Sequence, residues 1–164
     1  MSSYGTALAI LNQFADGENV KDFEVSVCGN SAQLILLAQE MVSLQIIKGE
    51  SQALFKSQIL DVQIIEDIHS ELLPIYLSQN KPQVQNSMAI FEGAFVSTGL
   101  QLLQQALVNN LGVVEFRIIR TFPKNVILVL TSADIKNFQK VFSVDFKMTQ
   151  INKAENILKS YFEI

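Results

Sequence analysis

The chain repeats one local pattern, and that repeat constrains its fold more than any motif it carries. FEVSVCGNSAQLILLAQ (Phe23–Gln39) and FRIIRTFPKNVILVLTS (Phe116–Ser132) align without a gap at an offset of 93 residues. Each reads as a strand, a turn and a second, more apolar strand. The turns, Cys28–Ser31 and Phe122–Asn125, are rich in residues that favour turns. Identities are few, so the pattern of apolar and turn positions carries the match. The flanks repeat as well. Thr6–Phe14 reads as a short apolar helix before the first hairpin. Ser97–Val108 reads as its counterpart, with Leu100, Leu103 and Leu107 at helical spacing and Ser97 or Thr98 as the N-cap. After each hairpin comes a second helix, Glu40–Ser57 and then Ala133–Phe142. Each leads to a strand, Asp61–Ile65 and Ser143–Met148, and to a short amphipathic segment, Leu72–Leu77 and Ile157–Phe162.

Ser78–Asn86 is polar, contains Pro82, and is the natural linker. Ser87–Glu92 then opens the second repeat as a strand, and Gly93 lets the chain turn toward the helix. Only six residues, Met1–Thr6, occupy that place in the first repeat. The fold class predicted is α+β: two ferredoxin-like β-α-β-β-α-β repeats in tandem, residues 1–80 and 81–164. The first lacks its opening strand, and the antiparallel sheets carry helices on one face.

Composition gives this division a consequence. The chain has 164 residues, 49% apolar and only 17% charged, against about 25% charged in a typical soluble domain. Two sheets of this size bury their apolar faces poorly alone, so an obligate homo-oligomer is expected. No apolar run approaches the roughly 18–20 residues that cross a bilayer, and no signal peptide is visible. The expected location is cytoplasmic, with no membrane partner. The net charge of −4 argues against nucleic acid, whose phosphates need clustered Lys and Arg. The charge is divided unevenly. Residues 1–82 hold 4 basic and 10 acidic side chains, a balance of −6; residues 83–164 hold 8 and 6, a balance of +2.

Chemical motifs are absent. There is no phosphate-cradling glycine loop, no metal-ligand spacing and no nucleophile elbow. Cys28 stands alone at a predicted strand end, and His69 is the one histidine. Asp61, Glu66, Asp67 and Glu71 form an acidic stretch, read as a solvated strand end and helix start. No cofactor, metal or catalytic residue is expected. Three functions follow in order of preference: a structural self-assembling subunit, a ferredoxin-like small-molecule-binding regulatory protein, and an enzyme using Asp61, Glu66 or His69.

The second repeat resembles the bacterial microcompartment shell domain over almost its full length. Ser87–Phe95 matches that family's first strand and glycine turn, Phe116–Thr131 its strand–turn–strand, and Ser143–Phe162 its closing strand and tail. In the first repeat, DVQIIEDIHSELLP (Asp61–Pro74) is similar to the same tail, where the family ends a valine-rich strand with a histidine, an acidic residue and leucines. The resemblance implies a trimer of two-repeat chains that mimics a hexamer, with possible partners among other shell proteins. It places Gly29, Asn30 and Ser31 alternating with Pro123, Lys124 and Asn125 around a central pore.

Overall fold

The computed structural model describes residues 1, 3–14, 20–28, 31–79, 83–119 and 126–162. They form two compact units, Met1–Glu66 and Asp67–Ile164.

The first unit begins with α1 (Tyr4–Phe14). Ser3 caps it: the Thr6 backbone N–H donates to Ser3 Oγ at 3.1 Å, satisfying a donor the helix leaves unpaired. The buried Thr6 hydroxyl donates to Gln58 Oε1 at 2.6 Å, so the Ser3 hydroxyl, 2.9 Å away, donates to Thr6 Oγ1. β1 (Val20–Cys28) and β2 (Ser31–Ala38) form an antiparallel hairpin with an irregularity between Val20 and Asp22. α2 (Met41–Phe55) follows, burying Ser43, Ile47 and Ser51, one row spaced four apart. Helix positions four apart share a face, and the two serines let that face come close to its neighbours. The hairpin and both helices were expected; the closing strand at Asp61–Ile65 is not formed. Unit two shows the physical reason.

That unit holds a four-stranded antiparallel sheet, in the order β4-β5-β3-β6. Its strands are β3 (Ser87–Gly93), β4 (Gly112–Ile118), β5 (Val126–Ser132) and β6 (Phe146–Ile151). Among the described residues the closing strand β6 pairs only with the opening strand β3. The described first unit holds no opening strand, and Asp61–Ile65 joins no ladder there. The sheet's start is pinned from both sides. The Thr131 hydroxyl donates to the Ser87 carbonyl and accepts the Gln85 N–H at 2.7 Å, while Ser87 Oγ donates to the Asn152 carbonyl at 2.9 Å.

α4 (Val96–Val108) crosses one face. It starts one residue before the expected Ser97. Its N-cap is Phe95, without a side-chain bond, because Ser97 and Thr98 lie already inside the first turn and Thr98 is buried. It ends in a Schellman motif: Asn110 takes the left-handed conformation (φ 56°), Leu111 N–H bonds the Ala106 carbonyl and Asn110 N–H the Leu107 carbonyl. Expected as a helix over Ala133–Phe142, the second connection is a 3-10 helix, Ile135–Lys140, capped by the Asp134 side chain.

Helices occupy both faces of this sheet, correcting the expectation of one. Alternation along β3 puts Ala89 and Phe91 on one face and Met88 and Ile90 on the other. α4 lies against the first, its Gly99 packed beside Val126 and Phe116. α5 (Asn156–Phe162) covers the second: Leu158 and Phe162 pack on the cluster of Met88, Val114, Val129 and Ala154. Gly93 serves a different purpose from the turn expected of it. A Cβ there would enter the space of the Phe146 ring, its direct partner in the β3–β6 ladder.

Candidate assembly surfaces

Of the six residues that the resemblance places around a pore, the structure describes one. Ser31 opens β2, half-buried and paired with Cys28. Gly29, Asn30, Pro123, Lys124 and Asn125 lie outside the described residues.

The acidic stretch and His69 are divided between the two units. Asp61 and Glu66 belong to the first unit and His69 to the second. Among the described residues no group of three His, Cys, Asp or Glu side chains could hold a metal ion. Asp61 accepts from Gln63 Nε2 at 3.2 Å and acts on the Met1 amino group. Burial pushes that amine below its ordinary value of 8.0, and the Asp61 carboxylate partly opposes the fall. His69 is engaged in chain geometry. Its Nδ1 accepts the Glu71 N–H at 3.3 Å, and its own backbone N–H donates to Gln104 Oε1 at 3.0 Å. Gln104 Nε2 in turn donates to the Asp67 carbonyl at 3.0 Å. One α4 amide thus clamps both sides of the turn at Asp67, whose φ is +46°. Nothing in the sequence pattern marked Gln104, since its role depends on a segment 35 positions away.

Met1 and Ala32 exchange two backbone hydrogen bonds: the Met1 amine donates to the Ala32 carbonyl at 2.9 Å, and the Ala32 N–H to the Met1 carbonyl at 3.0 Å. That is a hydrogen-bonded antiparallel pair. In the second unit Gly93 pairs with Val126, the first residue of β5. Met1 and Gly93 each stand three residues before the first residue of a helix, Tyr4 and Val96. Met1 therefore occupies the place of the last residue of an opening strand. Further along β2, the polar backbone groups of Leu34, Leu36 and Ala38 share the orientation of Ala32 and face away from β1. Among the described residues no strand covers that edge.

The expected apolar excess is on the surface. In the first unit Leu8, Phe23 and Val27 are 42%, 53% and 51% exposed, and Val42, Ile46 and Leu54 form an exposed row on α2. In the second unit Phe142, Val144 and Tyr161 are exposed. Single exposed apolar residues are ordinary; groups of them mark interaction surfaces.

A segment the repeat assigns to residues 1–80 packs with the second unit. α3 (Leu72–Tyr76) lies on β4 and α4, with Leu72 and Ile75 buried. The Tyr76 ring sits 6.3 Å from that of Phe116, tilted by 47°. The compact units thus divide at Glu66/Asp67 and the sequence repeats at 80/81.

No protein-family model and no curated protein matches the chain. Its fold is similar to the crystal structure of a microcompartments protein from Desulfitobacterium hafniense DCB, with a TM-score of 0.70 at 14% identity. The match covers 97% of this chain and 94% of that one.

Proposed function

We propose that the protein is a structural, self-assembling subunit of the microcompartment shell type, with no catalysis of its own. The observation that carries this reading is the fold match, which runs through nearly the whole of both chains. The exposed apolar groups on both units support it, since a chain working alone gains nothing from them. In this reading three copies close into a ring of six alternating units. The two hairpin ends face the axis, with Gly29, Asn30, Ser31, Pro123, Lys124 and Asn125 lining an opening. Other shell proteins are the natural lateral partners, in the cytoplasm. A head-to-tail ring needs two unlike surfaces on each copy, and the acidic first half and weakly basic second half supply them.

The test is solution mass by light scattering together with negative-stain electron microscopy. The expected result is a particle of three 18.3 kDa chains that forms flat sheets or tubes as concentration rises. A monomer at micromolar concentration overturns the proposal. So does a discrete oligomer that never extends and whose melting temperature rises with a metabolite, the behaviour of a ligand-binding regulator.

A further inference from the structure

We infer that the tail helix of the second repeat, α5, seats on the first unit of another copy, as α3 seats on the second unit. This rests on the assembly proposed above and names one of its contacts. The chain itself displays the model contact. α3 lies on α4 and β4, laying Tyr76 beside the ring of Phe116, which is 6% exposed.

Among the described residues, the first unit leaves the corresponding seat exposed. Met1 and Gly93 are equivalent, so α1 and α4 match at an offset of 92, and Leu8 stands where Leu100 does. The gapless hairpin alignment matches Phe23 to Phe116. Leu8 and Phe23 are about half exposed, as is Val27, which shares a β1 face with Phe23. The ring that Tyr76 packs beside in one unit is bare in the other.

The occupant is written in the second tail. LLPIYL (Leu72–Leu77) and ILKSYF (Ile157–Phe162) align tyrosine to tyrosine, Tyr76 to Tyr161. The two helices use complementary faces. α3 turns Leu72, Ile75 and Tyr76 to the second unit and leaves Leu73 and Leu77 exposed. α5 turns Leu158 and Phe162, which match Leu73 and Leu77, to its own sheet. Its Tyr161 remains 65% exposed, in a T-shaped contact with the Phe162 ring 4.9 Å away. α3 thus seats by its tyrosine side, and the matching tyrosine of α5 is exposed. A second copy is the partner that presents the vacant seat. Each copy would give one tail and receive one, a heterologous contact that closes into a ring. Lys159 on α5 approaches the acidic half of the chain in doing so.

The test uses the full chain with Cys28→Ser as background. Two single variants, Phe23→Cys and Tyr161→Cys, are purified separately, mixed, and oxidised with diamide. The expected result is a disulfide-linked dimer in the mixture and not in either variant alone. In parallel, Tyr161→Ala and Phe23→Ala are each expected to raise the concentration at which the assembly half-dissociates about tenfold or more, since buried aromatic contacts dominate interfaces. Both residues are exposed, so melting of the dissociated chain should stay unchanged. If the parent chain assembles but the mixture does not cross-link and the alanine variants assemble normally, this contact is wrong while the assembly stands. If the parent chain is a monomer, both fall.

Discussion

Two glycines in this chain do opposite physical work. Gly49 sits inside α2, exposed, with nothing within 4 Å of where a Cβ would be. It contributes only the entropic cost of glycine in a helix. Gly49→Ala should raise stability by about 0.5–1 kcal/mol, read as a higher urea midpoint with unchanged slope. Gly93 has no such room, because the Phe146 ring fills the position of its missing side chain. Gly93→Ala should lower stability by about 1–3 kcal/mol, the usual cost of overpacking, in the same titration. A neutral Gly93→Ala would mean the ring moves aside freely. The sequence marked Gly93 as special but for its backbone, since a ladder partner 53 positions away is not visible in local spacing.

At the level of elements, Gln104 is the side chain that fixes where the first repeat's tail goes. Its amide holds the Asp67 carbonyl and the His69 N–H together, and α3 begins three residues later. Gln104→Ala should speed amide exchange at His69 and across Leu72–Tyr76 by about tenfold or more, while β3–β5 keep their protection. This follows if the clamp contributes on the order of 1.5 kcal/mol, at the upper end for a neutral hydrogen bond. Unchanged exchange would show that the buried Leu72 and Ile75 hold the tail alone. The hairpins were legible because alternation and turn residues are local signals. The helices were legible to within a residue or a few, with the last reduced to one 3-10 stretch. The strand at Asp61–Ile65 was misread because a strand exists only by virtue of its neighbour, and the neighbour it needs is absent from the described first unit. The allegiance of α3 was equally invisible, since five amphipathic residues suit either neighbouring repeat.

For the whole molecule, the proposed assembly and the uneven division of charge together predict a sensitivity to salt. Opposite halves that meet between copies attract over about a Debye length, roughly 10 Å at 0.1 M. Raising salt from about 0.05 to 0.5 M should therefore weaken association several-fold in sedimentation experiments. Strengthening by salt would indicate a purely apolar contact. The candidate pore residues rest on the resemblance alone, and five of the six fall outside the described residues. For the proposed tail contact the sequence supplies the match of Tyr76 to Tyr161, and the seat becomes visible only when the exposure of Phe23 is set beside the burial of Phe116. The tilted Tyr76–Phe116 pair has an optical consequence as well. The chain has no tryptophan and three tyrosines, so its near-ultraviolet emission comes from Tyr4, Tyr76 and Tyr161 alone. One of these rings is held within the second unit, while the other two are about half exposed or more. An unlabelled sample therefore carries its own fluorophores, and in the dissociated chain an external quencher should reach Tyr4 and Tyr161 before it reaches Tyr76.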